Sequence, residues 1–360
     1  MKRLFAGTAA ILAAVLFLSN PAEAISAQKA ILMDATTGRI IYEKRADEKS
    51  LIASTTKIMT ALIICEQCNV LDRVSIPKEA VGVEGSSLYL QEGEVLTLQE
   101  LLYGMMLHSG NDAATALAIY CGGTVEGFAQ LMNDKARMLK LTNTHFVNPH
   151  GLDAPDHYST AHDLAILAAY AMENPIFAQT VSTKSVRIGN RSLSNHNKLL
   201  WRVDGADGVK TGFTKAAGRI LVSSAQRQGR RLVAVTIEDG NDWADHAALY
   251  QQGFDCYEMR RLVSAGQTLG YLNVFGGEQD QVALVAQEDF SYPLAQGEEP
   301  VIRFSHKGMA FAPIVEDGDA GFAYICLGEF PVGKVSLRYD RTIEQQPQEK
   351  QNLWQRWFGE

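Results

Sequence analysis

The chain has 360 residues, with 33 Lys and Arg against 41 Asp and Glu, for a formal charge of −8. An acidic balance with no long basic run argues against a nucleic-acid partner. A composition of 46% hydrophobic and 21% charged residues is that of a globular protein long enough for one large domain and a smaller one. The five cysteines, at positions 65, 68, 121, 256 and 326, are too few and too scattered for a disulfide scaffold.

Residues 1–24 read as a secretory signal. Lys2 and Arg3 precede an apolar run from Ala9 to Leu18, Pro21 breaks it, and Ala22-Glu23-Ala24 offers a small-x-small cleavage site after Ala24. A retained anchor fits less well, because the run is short for a bilayer. Cleavage leaves 31 Lys and Arg against 40 Asp and Glu, a charge of −9.

Residues 25–258 read as one mixed α/β domain. Ala30–Asp34 and Ile40–Tyr42 flank a Gly-containing turn and predict a hairpin. Ile58–Ile64 is nearly all apolar and predicts a buried helix. It runs into Cys65-x-x-Cys68, and with no second pair to complete a zinc site, buried free thiols are the preferred reading. Leu98–His108 predicts a helix with Thr97 and Glu100 as a capping box, and Asp112–Tyr120 another. Thr160 is the expected N-cap of a further helix, with Asp163 reaching back to it. Arg219–Ala225 and Arg231–Ile237 predict an antiparallel strand pair, and Asn241–Tyr257 a helix.

Residues 259–340 predict a small all-β domain, with strand-like runs at Gln281–Val285, Val301–Phe304, Phe322–Ile325 and Val335–Tyr339. Residues 341–360 read as a polar linker and a terminal amphipathic helix. Leu353, Trp354, Trp357 and Phe358 share one arc of that helix, which suits either a membrane interface or docking on the protein itself.

Three short motifs carry the chemistry: Ser54-Thr55-Thr56-Lys57, Ser109-Gly110-Asn111 and Lys210-Thr211-Gly212. A serine hydroxyl needs a nearby base to act as a nucleophile. Ser-x-x-Lys at a helix start puts the Lys57 amine within reach of the Ser54 oxygen, and desolvation with cationic neighbours favours the neutral amine. Ser109 can relay a proton to a leaving group, and Asn111 offers an amide to substrate. Lys210-Thr211-Gly212 is expected to begin a strand. There Lys210 supplies a fixed positive charge, Thr211 binds a carboxylate and Gly212 lets a peptide pair against the edge. The Phe213 amide joins that of Ser54 to hold an oxyanion.

The ordered motif set resembles that of penicillin-binding proteins and class A β-lactamases. Further stretches narrow the likeness to the low-molecular-weight penicillin-binding proteins that act as serine-type D-Ala-D-Ala carboxypeptidases. These are Ser86-Ser87-Leu88-Tyr89-Leu90, Asn148-Pro149-His150-Gly151-Leu152, Tyr158-Ser159-Thr160-Ala161, and Gly208-Val209 leading through the third motif to Phe213-Thr214. The resemblance covers roughly residues 27–240.

It implies an α/β (α+β) penicillin-binding/β-lactamase-like transpeptidase fold, with a central antiparallel sheet flanked by helices and a small all-β C-terminal domain. It implies that Ser54 removes the terminal D-alanine of peptidoglycan pentapeptide stems through an acyl-enzyme, that β-lactams acylate the same serine, and that no metal or organic cofactor takes part. It places the enzyme outside the cytoplasmic membrane, with peripheral membrane contact through the terminal helix.

Where relatives often carry Arg, before Asn197, this chain has His196, so the charge of a substrate-binding group there is open. His108 and His150 are taken as structural neighbours, since Lys57 fills the role of base. A class A β-lactamase is disfavoured by the lack of a Glu-x-x-Leu-Asn segment. An idle wall-binding protein is disfavoured by the intact Ser54, Lys57 and Lys210. Transpeptidation stays an alternative, with hydrolysis preferred because the resemblance is to the carboxypeptidase branch.

Overall fold

The computed structural model describes residues 25–305 and 308–347; the signal-like segment and the Leu353–Phe358 segment lie outside the described residues. The N-terminal domain runs β1 (Lys29–Asp34), β2 (Ile40–Lys44), a 3-10 turn (Ala53–Thr56), α1 (Lys57–Gln67), β3 (Arg73–Ser75), β4 (Val95–Thr97), α2 (Leu98–Leu107), α3 (Asn111–Gly122), α4 (Val125–Met138), α5 (Ala161–Ala171) and α6 (Pro175–Ser182). It continues through β5 (Ser185–Ile188), β6 (Arg191–Ser194), α7 (Leu199–Arg202), β7 (Ala206–Thr214), β8 (Gly218–Arg227), β9 (Arg230–Ile237) and α8 (Asp242–Asp255).

Five of these strands form an antiparallel sheet in the order β2-β1-β9-β8-β7. Its central strands alternate between two cores. Ile31, Met33, Val233 and Val235 face the helical layer that holds α1 and α5, whereas Ala30, Leu32, Leu232 and Ala234 face Leu249 and Tyr250 of α8. A sheet covered on both sides needs unbroken apolar strands, which explains the Leu232–Ile237 run.

α1 passes through the middle of the helical layer. Every side chain from Lys57 to Cys65 is buried, so the helix has no polar face. The Thr97–Glu100 capping box forms as expected. The second expected box does not close. Thr160 Oγ1 accepts from the Asp163 amide, but the Asp163 carboxylate accepts from the Asn143 amide at 2.9 Å and the Thr144 hydroxyl at 2.7 Å, tying α5 to the preceding loop.

The C-terminal domain contains β10 (Tyr257–Val263), β11 (Thr268–Phe275), β12 (Gln281–Ala286), β13 (Phe290–Ala295), β14 (Pro300–Phe304), β15 (Met309–Phe311), β16 (Asp319–Leu327) and β17 (Phe330–Tyr339). Six make a sheet ordered β14-β16-β17-β12-β11-β15, and β10 pairs with β13. Residues 341–347, read from sequence as linker, instead run along this domain: Ile343 is buried in its core and bridges Ile314. Arg39, at the β1–β2 turn, joins the two domains. Its guanidinium sits over the rings of Tyr257 and Tyr292, 4.8 and 5.2 Å from their centroids, and donates to Glu298 Oε1 at 2.6 Å.

Candidate active site

Ser54 lies in the 3-10 turn that opens α1, one turn before Lys57. Lys57 Nζ is 3.1 Å from Ser54 Oγ, and donates to Asn111 Oδ1 at 2.7 Å and to the His150 carbonyl at 2.6 Å. No solvent reaches the Lys57 side chain. Burial first, then the neighbouring Lys210 cation, push its pKa well below the ordinary lysine value, against a weaker opposing pull from Asp112. Burial thus favours the neutral form, and an amine one hydrogen bond from a serine hydroxyl can serve as its base.

The turn carrying Ser54 is held from behind by Gly151. Its φ is +89°, and a Cβ there would fall 1.8 Å from the Ala53 carbonyl oxygen. Only glycine permits this approach.

Ser109 sits between α2 and α3, and Asn111 is the first residue of α3. Ser109 takes a left-handed φ of +67°, uncommon for a residue with a side chain. The loop is fixed by hydrogen bonds from the Gly110 amide to the Gly104 carbonyl and from the Asn111 amide to the Ser86 carbonyl. Asp112, fully buried, accepts from the Leu88 and Leu90 amides and from the Ser87 hydroxyl, which anchors the 86–90 segment over the site.

The third motif lies in the middle of β7 rather than at its start. Gly212 passes closely beside the Ser54 turn: a Cβ there would stand 3.3 Å from the Ser54 amide nitrogen. The expectation of a fixed charge on Lys210 is corrected. Its side chain is buried and its Nζ donates to the Thr211 carbonyl at 2.9 Å. Burial lowers its pKa to about 7, so its charge varies around neutral pH.

Ser54, Ser109, His196, Thr211, Gly212 and Phe213 line one cavity of about 480 Å³, with Lys57, Asn111 and Lys210 packed beneath it. The volume suits a short peptide end. The open charge of His196 is answered: burial, then Lys210 and His108, lower its pKa to about 4, so the ring is neutral near pH 7.

Arg219 and Asp242, which line the same cavity, escape the motif reading. Arg219 lines it, partly exposed, and its Nη2 donates to both carboxylate oxygens of Asp242, at 2.5 and 2.7 Å. The hairpin itself holds the signal, because Arg219 is the cross-strand partner of Phe213. His150 contributes its carbonyl to Lys57, while burial and the Lys57 charge lower its ring pKa to about 3.

The family described as D-alanyl-D-alanine carboxypeptidase, peptidase family S11, matches residues 17–241, and the C-terminal domain of penicillin-binding protein 5 matches residues 257–345. The chain belongs to the D-alanyl-D-alanine carboxypeptidase family. It is a hydrolase of the serine D-Ala-D-Ala carboxypeptidase class with the penicillin-binding protein 5 architecture.

Relatives of this D-alanyl-D-alanine carboxypeptidase include DacF of Bacillus subtilis, 34% identical over 76% of this chain and 74% of the relative. DacA of Escherichia coli is 30% identical over 90% of this chain and 82% of the relative. Among solved structures, penicillin-binding protein 5 of Haemophilus influenzae superposes with a TM-score of 0.77 at 28% identity, covering 89% of this chain and 98% of that one. A Streptomyces K15 DD-transpeptidase superposes at 0.62 with 34% identity, over 64% of this chain and 98% of that one.

Proposed function

We propose that Ser54 is the nucleophile of this carboxypeptidase and Lys57 its base. The observation that carries the reading is the 3.1 Å contact of the buried Lys57 amine with Ser54 Oγ. Lys57 takes the hydroxyl proton as the Ser54 oxygen bonds to the carbonyl carbon between two terminal D-alanines. The amides of Ser54 and Phe213 hold the oxyanion. Ser109 passes that proton from Lys57 to the leaving nitrogen, the C–N bond breaks, D-alanine departs and Lys57 is neutral again. Water then attacks the ester, with Lys57 again as base, and frees Ser54. In a β-lactam the broken C–N bond belongs to the ring, so the leaving nitrogen stays tethered and the acyl-enzyme persists.

The terminal carboxylate of the stem peptide is held by the Thr211 hydroxyl and the Arg219 guanidinium. Asp242 occupies only Nη2 of that guanidinium, which leaves other donors for substrate. His196, neutral, serves as a wall of the cavity. A peptide ending in D-Ala-D-Ala tests the assignment: the wild-type enzyme releases D-alanine and Ser54→Ala releases none. D-alanine release by Ser54→Ala at the wild-type rate would refute it.

The enzyme acts outside the cytoplasmic membrane, after removal of residues 1–24, and rests on the membrane through Leu353–Phe358. Near the end of the described residues, the Gln346 amide donates to the Gly276 carbonyl, next to the exposed Phe275. Among the described residues no helix is long and apolar enough to cross a membrane. Deleting residues 348–360 moves the protein from the membrane to the soluble fraction; unchanged partitioning contradicts the contact.

A further inference from the structure

Helices α1 and α3 begin and end together. Their near ends meet where Lys57 Nζ donates to Asn111 Oδ1 at 2.7 Å. Cys68 follows Lys57 by eleven residues and Cys121 follows Asn111 by ten. At about 1.5 Å per residue these are about 16 and about 15 Å of helix. The two helices pack along each other, so their far ends also coincide. There Cys121 Sγ lies 3.9 Å from Oε1 of Gln67, the residue before Cys68. Cys68 and Cys121 are near enough to perturb each other's ionisation: each thiol shifts the pKa of the other.

Both thiols are free in this structure and neither is fully buried; Cys65, one turn earlier, is buried in the core. The other two cysteines lie on different elements, Cys256 after α8 and Cys326 in β16.

We propose that Cys68 and Cys121 form a disulfide that ties the far ends of α1 and α3, as Lys57 and Asn111 tie the near ends. The proposal rests on the reading that this carboxypeptidase works outside the cytoplasm, where disulfides persist. The reaction is exchange with a small-molecule or protein disulfide. Each cysteine thiol gives up a proton, the two sulfurs together lose two electrons, and the oxidant's S–S bond becomes two thiols. Burial and the neighbouring sulfur hold the folded Cys68 thiol up at about 12, which makes it a slow nucleophile. Exchange therefore belongs to the folding chain, before the two helix ends pack together. The bond closes a loop containing the 86–90 segment and Ser109, and so braces the wall of the active site.

The test is refolding of the full chain from denaturant in glutathione disulfide and glutathione, followed by alkylation and peptide mass mapping without reductant. The expected result is one intramolecular bond, two hydrogens lighter, with fragmentation placing it on residues 68 and 121. Three alkylated thiols remain. Dithiothreitol restores five and lowers the Tm by several degrees. Cys68→Ser and Cys121→Ser each abolish the bond, and Cys65→Ser leaves it. A bond mapped between Cys65 and Cys68, or five free thiols in a refolded, active chain, overturns the proposal. Recovering protein from the extracytoplasmic fraction of an expressing cell tests the export reading separately. Five free thiols there with the bond present after refolding would fault the compartment and not the geometry.

Discussion

Lys57 Nζ and Asn111 Oδ1 are 2.7 Å apart, and this single contact joins two motifs separated by more than fifty residues. The carboxamide oxygen accepts from the amine in either protonation state, so it orients Lys57 without demanding a charge on it. Ser54 Oγ then lies 3.1 Å away in a direction fixed by the protein.

Replacing Lys57 separates its basicity from its hydrogen bonding. Lys57→Arg keeps a donor near Asn111 and Ser54, but its guanidinium stays protonated and takes no proton. Both Lys57→Arg and Lys57→Met are expected to slow acylation by about 10²–10⁴-fold, measured by stopped-flow with a chromogenic β-lactam, with the fold checked by circular dichroism. Acylation by Lys57→Arg at a rate near wild type would remove Lys57 from the role of base.

The pH profile follows from two buried lysines. Lys57 must be neutral, so kcat/KM falls as acid protonates it. Lys210 must be charged to favour an anionic peptide end, so kcat/KM falls again as pH rises through its pKa of about 7. The two sites interact, and the limbs report apparent values of the pair. Lys210→Arg is expected to move the alkaline limb upward by more than one unit. Stability carries the opposite sign. Between about 7 and the ordinary 10.5 the unfolded chain binds a proton that folded Lys210 lacks. Stability from this site therefore rises with pH across that window. A Tm that falls from pH 7 to 9 relative to Lys210→Met would contradict this.

Arg219 and Asp242 form the part of the site that no motif announces. Arg219→Ala is expected to lower kcat/KM about 10- to 100-fold, the cost of one charge-assisted hydrogen bond to substrate, chiefly through KM. Asp242→Asn loosens the guanidinium and gives a smaller loss. His196→Ala changes KM less than Arg219→Ala does, because the ring carries no charge near neutral pH. Steady-state kinetics on a D-Ala-D-Ala peptide order the three, and a reversed order would return carboxylate binding to His196.

Gly151 tests the support behind the nucleophile. A methyl group there meets backbone 1.8 Å away and cannot be accommodated by a side-chain shift. Gly151→Ala is expected to cost about 2–4 kcal/mol by urea unfolding, and to depress acylation because the Ser54 turn moves. Gly189→Ala, at an open turn with φ +54°, is the comparison, with a loss of about 1 kcal/mol and no effect on acylation. Equal losses at the two positions would mean that the Ser54 turn relaxes freely.

The contrast between Ser54–Lys57 and Arg219–Asp242 shows what kind of information the sequence holds. Ser54 and Lys57 are three residues apart at the head of an all-apolar helix, so local periodicity places them on one face. The hairpin β1–β2, the Thr97 cap and the strands β8 and β9 were legible for the same reason. Arg219 and Asp242 meet only because α8, which covers one face of the sheet, begins beside Arg219 of β8, and Lys210 loses its fixed charge only because other elements bury it. The Asp163 carboxylate chose Thr144 over its own helix because tertiary packing supplied a second donor. Strands β3, β4, β5, β6, β10, β11, β13 and β15 escape the sequence reading. β10 is a largely exposed, charged stretch, Pro293 interrupts β13, and β3, β4 and β15 have only three residues each, so no clean alternation marks these five.

The account stands or falls on the nucleophile, and intact-mass spectrometry after treatment with benzylpenicillin reads it directly. The expected result is one covalent adduct of the drug's full mass, mapped by peptide fragmentation to Ser54 and absent from Ser54→Ala. An adduct that persists in Ser54→Ala, or that maps to Ser109, would contradict it.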